Sequence, residues 1–214
     1  MISGVIFDLD GVLIDSEPLH CMADNQLLKD LGIDTPENYF DRFTGWTDSA
    51  MWGAIKTDYM ITKSIDELKV LQVPIKLKLI REGDYKAIPG TIELLEEIKK
   101  RQIPIAIASS SPRLFIEAVV QKIGIAQYFA SIVSGEEVEH SKPEPDIFLK
   151  AARFLNVDPS ECLVVEDSKS GTIAAKKAGM KCIGYQNFNS GNQDLSEADF
   201  IVNDIKEINI GKVL

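Results

Sequence analysis

The stretch that most constrains this chain is Val5-Ile6-Phe7-Asp8-Leu9-Asp10-Gly11-Val12-Leu13, close to its start. Between Val5 and Leu9 only Asp8 breaks an apolar run, which reads as a short buried strand. The strand meets two carboxylates, Asp8 and Asp10, one residue apart. In extended chain residues i and i+2 point the same way, so both acids face one small volume. Two anions crowded there cannot both stay ionised cheaply, and one pKa is expected to rise unless a cation sits between them. Such a pair suits a divalent metal, with one acid as nucleophile and the other as proton carrier. The plainer alternative is a turn at Asp10-Gly11 that Asp8 caps.

Size and charge narrow the classes. With 214 residues, 45% of them hydrophobic, the chain can build one good core, or a core domain carrying a smaller insertion. A formal charge of −10 argues against a nucleic-acid partner, whose phosphates require a basic footprint. It leaves a small phosphate ester open, because a local cation reverses the sign of a pocket. Asp8 and Asp10 interrupt the apolar N-terminus and no run approaches about 18 apolar residues, so neither a targeting segment nor a membrane partner is expected. Cys21, Cys162 and Cys182 are widely spaced and form no C-x-x-C pair. That fits reduced, structural thiols in a cytoplasm rather than a disulfide framework. An acidic surface is compatible with a monomer or a weak homodimer.

Two textures divide the chain. From residue 15 to about 85 the pattern is helical. Ser16 and Pro18 start a helix with Leu19, Ala23, Leu27, Leu28 and Leu31 on one face, stopped at Gly32. Pro36 to Phe43 predicts a short helix with Tyr39, Phe40 and Phe43 inward. Asp48 is placed to cap a helix carrying Met51, Trp52, Ile55 and Tyr59. Ser64-Ile65-Asp66-Glu67 is a capping box, and Pro74 is expected to kink or end the helix that follows. From Pro89 onward helices and strands alternate. Strands are expected at Ile103–Ala108, Ser131–Val133, Cys162–Val165, Lys181–Gly184 and, at an edge, Phe200–Val202. One intervening helix starts at Ser111-Pro112 and carries Leu114, Ile116, Val119, Val120 and Ile123. Continuous apolar runs indicate a parallel sheet covered on both faces. The fold class is therefore α/β, a Rossmann-like three-layer core of residues 1–14 and 86–214 with an all-helical insertion of residues 15–85.

In such a sheet every strand ends on one edge, where ligands bind. That edge collects Asp8 and Asp10, then Ser109-Ser110-Ser111, then Ser141-Lys142, then Glu166-Asp167-Ser168. Each cluster has an ordinary explanation alone: helix caps, a solvated lysine, first-turn acids. Ser111 in particular is expected to cap its helix. Together the four supply a nucleophile, an acid–base group, metal ligands, a hydroxyl and a cation, the inventory that phosphoryl transfer needs.

Asp8-Leu9-Asp10-Gly11-Val12-Leu13, Ser109, Ser141-Lys142-Pro143-Glu144-Pro145-Asp146-Ile147-Phe148 and Val165-Glu166-Asp167-Ser168 resemble, in order, the four motifs of the haloacid dehalogenase superfamily. The resemblance spans essentially the whole chain. It is closest to the branch of sugar-phosphate phosphatases and β-phosphoglucomutase, whose helical cap follows the first motif. It implies a phosphomonoester hydrolase acting on a small phosphorylated metabolite, with Asp8 as covalent nucleophile and Asp10 as proton carrier. Mg²⁺ would be held by Asp8, the Asp10 main-chain carbonyl and Asp167, and Glu166 would order water beyond them. Ser109 would donate to a phosphoryl oxygen and Lys142 would offset charge.

The resemblance also implies a cap that closes by hinges near Asp15–Glu17 and Gly83–Ala87, bringing Thr44, Gly45, Trp46, Thr47 and Asp48 over the leaving group. Ser110 belongs to the same substrate-facing set. His20 sits where the mutase also has histidine; it reads equally as a half-exposed helical residue. Trp46 reads as cap core or as a sugar-stacking surface. The mutase's cap arginine falls, by ungapped reading across Gly45, on Asp48, and no lysine of Val70–Lys78 aligns clearly with its other cap cation. Hydrolysis is therefore favoured over β-phosphoglucomutase-type transfer. The dehalogenases and phosphonoacetaldehyde hydrolase lack an aspartate equivalent to Asp10. From a different class, a receiver-like phospho-acceptor module gathers similar groups but has no insertion after its first strand.

Overall fold

The computed structural model describes residues 1–43, 46 and 48–213, and for Asp48, Lys212 and Val213 the backbone only. Six strands, β1 (Gly4–Phe7), β2 (Ile105–Ser109), β3 (Ser131–Ser134), β4 (Cys162–Glu166), β5 (Lys181–Tyr185) and β6 (Phe200–Val202), form one sheet in the order β3-β2-β1-β4-β5-β6. Every neighbouring pair is parallel. β1 lies at the centre, with Phe7 opposite Ile107 on one side and Val165 on the other.

The expectation of a doubly covered sheet holds because alternate residues enter opposite layers. Val5, Phe7, Ile105, Ile107, Leu163 and Val165 share one apolar cluster with Leu94, Leu95 and Ile98 of α4 (Thr91–Lys100) and with Phe115, Ile116 and Val119 of α5 (Arg113–Lys122). Ile6, Ala106, Ala108 and Val164 join a second cluster with Phe148 and Ala151 of α6 (Asp146–Leu155) and Ala174 and Ala175 of α7 (Lys169–Lys177). On α5 the inward face differs from expectation at one position: Leu114 is 60% exposed and Phe115 is fully buried in its place. The larger ring fills the layer between sheet and helix that Leu114, one position earlier, cannot reach.

Between β1 and β2 lie α1 (Glu17–Asp30), a 3-10 turn at Tyr39–Phe43, α2 (Asp48–Tyr59) and α3 (Ile65–Glu82). Leu27, Leu28, Phe40, Phe43, Trp52, Ile55 and Leu68 form a third cluster of their own. Gly32, at φ +77°, ends α1 as expected. Asp48 is the first residue of α2 rather than a residue preceding it. The capping box of α3 forms as read: Ser64 Oγ accepts from the Glu67 N–H at 3.1 Å, and the Glu67 carboxylate accepts from the Ser64 N–H at 2.6 Å.

Pro74 does not end α3, which continues to Glu82. The buried residues Leu68, Gln72, Lys76 and Ile80 recur every four positions along the whole helix. Packing of α3 on both α1 and α5 therefore outweighs the single bond Pro74 cannot donate. Ile14 bridges to Ala87, and the Ile88 N–H donates to the Leu13 carbonyl at 3.0 Å, so the two segments that join the inserted helices to the sheet are tied together. Among the described residues no helix is long and apolar enough to cross a membrane.

Trp52 is fully buried at the centre of the third cluster. Trp52→Ala is expected to destabilise the protein by ~3–5 kcal/mol, read as a lowered urea midpoint in equilibrium unfolding.

Candidate active site

The C-terminal ends of β1, β2 and β4 meet at a cavity of about 220 Å³ lined by Asp8, Asp10, Ser109, Ser110, Lys142, Glu166 and Asp167. The four clusters read from the sequence are thus one site. Lys142, on the segment between β3 and α6, reaches across the edge: its Nζ donates to Asp8 Oδ1 at 2.6 Å, to Glu166 Oε1 at 2.8 Å and to the Ala108 carbonyl at 3.1 Å. It lies 4.9 Å from the centre of the Phe148 ring. The three charged side chains are nearly inaccessible, at 5% for Lys142, 9% for Asp8 and 1% for Glu166.

Burial alone would lower the Lys142 pKa, yet the Asp8 and Glu166 carboxylates hold it above its usual value. Asp8 is pushed up by burial; Lys142 pulls it back, while Glu166 and Asp10 add to the rise. Asp167 is also pushed up, first by burial and then by the charges of Glu166 and Asp8.

Asp10 behaves oppositely. Its Oδ1 accepts from Ser16 Oγ at 2.6 Å and lies 2.9 Å from His20 Nε2. Its Oδ2 accepts from Ser111 Oγ at 2.7 Å and Ser109 Oγ at 3.2 Å. Burial works against its charge, but His20, Ser16 and Ser111 hold it well below the usual carboxylate range. The expected divergence of the two acids is therefore present, with Asp8 as the member that rises. Strand β1 ends before either of them, so loop geometry brings them to one cavity instead of a shared strand face.

Two sequence expectations about serines are corrected. Ser16 occupies the N-cap position of α1 but makes no side-chain cap bond, and the N-cap of α5 is Pro112 rather than Ser111. Both hydroxyls donate to Asp10, because a partly buried carboxylate is a stronger acceptor partner than a solvated helix end. Ser111 keeps its place in the edge cluster read from sequence, and only the expected cap is absent.

Sequence reasoning also missed the segment after β5. Ser190 Oγ donates to Asp167 Oδ2, Asn187 Nδ2 donates to the Gly11 carbonyl at 2.9 Å, and Asn189 Nδ2 donates to Asp15 Oδ2 at 2.6 Å. No apolar periodicity marks these residues; only their place after a strand end on the same edge signals them. Gly11 is held at φ +78°, and a Cβ there would fall 2.0 Å from Asp167 Oδ2. The Glu166 carboxylate is fixed through Oε2 by the Ser168 N–H at 2.7 Å and Ser168 Oγ at 2.9 Å.

The opposite wall comes from the inserted helices: Glu17, His20, Cys21 and Asp24 of α1, then Phe40, Phe43, Trp46 and Met51. Of the cap residues singled out from sequence, His20 contacts Asp10, and Trp46 lines the cavity edge-on to Phe43 with ring centres 5.4 Å apart. Thr44, Gly45 and Thr47 lie outside the described residues, as does the Asp48 side chain.

A hard divalent cation suits this donor set. Asp8 and Asp167 are buried carboxylates, pushed up first by burial and then by neighbouring acids that share the single lysine. Among the described residues no three His, Cys, Asp or Glu side chains gather as a ligand cluster.

Fold and site together define an enzyme with the apparatus for phosphoryl-group chemistry. The family model of haloacid dehalogenase-like hydrolases matches residues 5–185. A phosphorylated carbohydrates phosphatase of Thermotoga maritima is 32% identical over 95% of this chain and 98% of its own length. CbbY from Rhodobacter sphaeroides, solved in complex with phosphate, superposes with TM-score 0.86 at 28% identity, covering 97% of this chain and 96% of that one. The β-phosphoglucomutase of Clostridium difficile superposes with TM-score 0.81 at 27% identity, covering 100% of this chain and 96% of that one. The chain belongs to the haloacid dehalogenase-like hydrolases, and within them it is an enzyme of the phosphatase type. A receiver-like signalling module falls away with that membership.

Gly11→Ala places a methyl group where Asp167 stands and strains a left-handed backbone. It is expected to lower kcat/KM for p-nitrophenyl phosphate by about 10²-fold, the order of loss a displacement near 1 Å causes in a positioned site, measured by initial rates.

Proposed function

We propose that the protein hydrolyses the monoester of a small phosphorylated metabolite, a sugar phosphate, with Mg²⁺ and through an aspartyl-phosphate on Asp8. The observation that carries this reading is the Lys142 bridge, which holds the Asp8 carboxylate at 2.6 Å inside the cavity beside Asp10. An Asp8 oxygen forms the new bond to phosphorus as the ester oxygen leaves, and Asp10, entering this step protonated, gives its proton to that alkoxide. Asp10 then takes a proton from the water that attacks phosphorus, and Asp8 is released. The bonds from Ser16, Ser111 and Ser109 hold Asp10 in the ionised form that this second half-reaction needs. Ser109 turns its hydroxyl to a phosphoryl oxygen when substrate is present, and Glu166 keeps Lys142 in place.

When bound by Asp8, Asp167 and the Asp10 carbonyl, Mg²⁺ supplies positive charge to the phosphoryl oxygens. Monoester hydrolysis can demand up to ~10²¹-fold acceleration, and general acid–base help contributes only about 10²–10⁴. Positioning and fixed charge provide the remainder.

Residues 15–85 act as a cap domain on the core of residues 1–14 and 86–214, with hinges near Asp15–Glu17 and Gly83–Ala87, next to the Ile14–Ala87 bridge. Closure shields the site from bulk water. Hydrolysis is favoured over β-phosphoglucomutase-type transfer because, by ungapped reading across Gly45, Asp48 takes the sequence position of the mutase's cap arginine. A monomer or weak homodimer in the cytoplasm, with no nucleic-acid or membrane partner, fits the acidic charge of −10 and the free thiols Cys21, Cys162 and Cys182.

Asp8→Asn is expected to abolish p-nitrophenyl phosphate turnover while the protein stays folded, checked by its far-UV circular dichroism; an active Asp8→Asn enzyme would refute the covalent route. Lys142→Ala should lower kcat by roughly 10²–10³-fold, the loss seen when a group aimed at developing charge is removed. Chelation with EDTA should stop turnover and added Mg²⁺ restore it, followed in one stopped and restarted assay.

A further inference from the structure

Four carboxylates meet at the sheet end of the cavity, and each is oriented by its own donors. Asp8 and Glu166 share Lys142, and Ser168 also holds Glu166. Asp10 is ringed by Ser16, His20, Ser109 and Ser111. Asp167 is served differently. Among the described residues the Ser190 hydroxyl is the one hydrogen-bond donor to its carboxylate, and it donates to Oδ2. Both side chains line the cavity, with Asp167 5% exposed and Ser190 9%.

Ser190 comes to Asp167 from the turn that follows β5, 23 positions further along the chain. That turn is clamped to the loops on either side of the cation position. The Ser190 N–H donates to the Asn187 carbonyl at 3.2 Å. Asn187 is itself buried: its Nδ2 donates to the Gly11 carbonyl at 2.9 Å, and its Oδ1 accepts from the Asn189 N–H at 2.9 Å. Gln193 Nε2 donates to the Ser190 carbonyl at 3.0 Å, and Gln193 Oε1 accepts from the Lys169 N–H at 3.1 Å. The hydroxyl is thus fixed from the β1 side through Gly11 and from the β4 side through Lys169. A side chain whose main chain is already ordered loses little further entropy in holding its partner.

We propose that Ser190 is the positioning residue of the cation site: by holding Oδ2 of Asp167 it leaves Oδ1 to a divalent cation, and so sets the affinity of the protein for Mg²⁺. This rests on the cation of the phosphatase reading above. Without that donor the carboxylate turns about its terminal torsion, which is broad for aspartate, and must be ordered anew when a cation binds. Mg²⁺ demands near-ideal octahedral geometry, so the loss falls on affinity.

The test follows Mn²⁺ binding to the chelator-treated full chain, without substrate, by the electron paramagnetic resonance signal of the free ion. Asp167→Asn measures binding elsewhere on the acidic surface, which is subtracted, and far-UV circular dichroism checks that each variant is folded. Ser190→Ala is expected to raise the Mn²⁺ Kd by about 10–100-fold, the usual loss when a group that orients a metal ligand is removed. Ser190→Thr, which keeps the hydroxyl, should restore binding. The Mg²⁺ concentration for half-maximal p-nitrophenyl phosphate turnover should rise in step with the Kd. Unchanged Mn²⁺ binding in Ser190→Ala overturns this inference alone, as does a folded Ser190→Thr variant that binds as weakly as Ser190→Ala. Wild-type protein that binds no more Mn²⁺ than Asp167→Asn overturns the cation of the phosphatase reading with it.

Discussion

The structure depends on one buried ammonium. Lys142 holds two carboxylates that reach it from β1 and β4, and a carbonyl that belongs to β2. Three strand ends and the segment before α6 are thereby fixed against one another. Taking such charges out of water is costly, and removing one partner of a buried pair leaves an uncompensated charge worth about 3–5 kcal/mol of destabilisation. Few arrangements of these side chains are therefore tolerable. The same constraint serves chemistry, since an ammonium already balanced against Asp8 lets a phosphate approach that carboxylate.

Asp10 extends this fixed point toward the inserted helices. Its donors come from the joining segment (Ser16), from α1 (His20) and from the turn after β2 (Ser111 and Ser109). Two acids only two positions apart are thus sent in opposite directions by their surroundings. Burial raises Asp8, while a ring of donors lowers Asp10. Environments that push paired acids apart are how one site obtains two proton affinities and two roles.

Much of this was legible in the residues. Val5-Ile6-Phe7 and Cys162-Leu163-Val164-Val165 are apolar on both sides of the pleat, which only a doubly covered parallel strand requires, and the shared edge followed from topology. Ser64 and Glu67 announced their helix start because a capping box is closed by neighbours in sequence. Ser16 and Ser111 misled for the converse reason. A serine just before a helix satisfies the local rule for a cap, and the carboxylate that claims it instead is invisible in a sequence window. For Ser111 that carboxylate lies 101 positions away. Pro74 misled because the local penalty is small beside packing on two helices. Asn187 and Ser190 carry no local pattern at all.

The uneven distribution of charge also sets how a substrate can enter. Lys142 marks one end of the cavity while Glu17 and Asp24 line the other, so the cation that attracts a phosphate sits at the sheet end. Electrostatics therefore fixes the orientation before any contact with the alcohol half is made. The two ends are under different physical constraint. At the sheet end each charge is buried and depends on its partners, so a change at one is felt by all. At the cap end Trp46 is half exposed and Glu17 only partly covered, so side chains there can vary at small cost. A chain about 30% identical to its relatives can for that reason keep the phosphoryl site and alter the alcohol it accepts. In the proposed mechanism reaction type rests on the buried charges of the sheet edge, and selectivity on the looser wall that faces them.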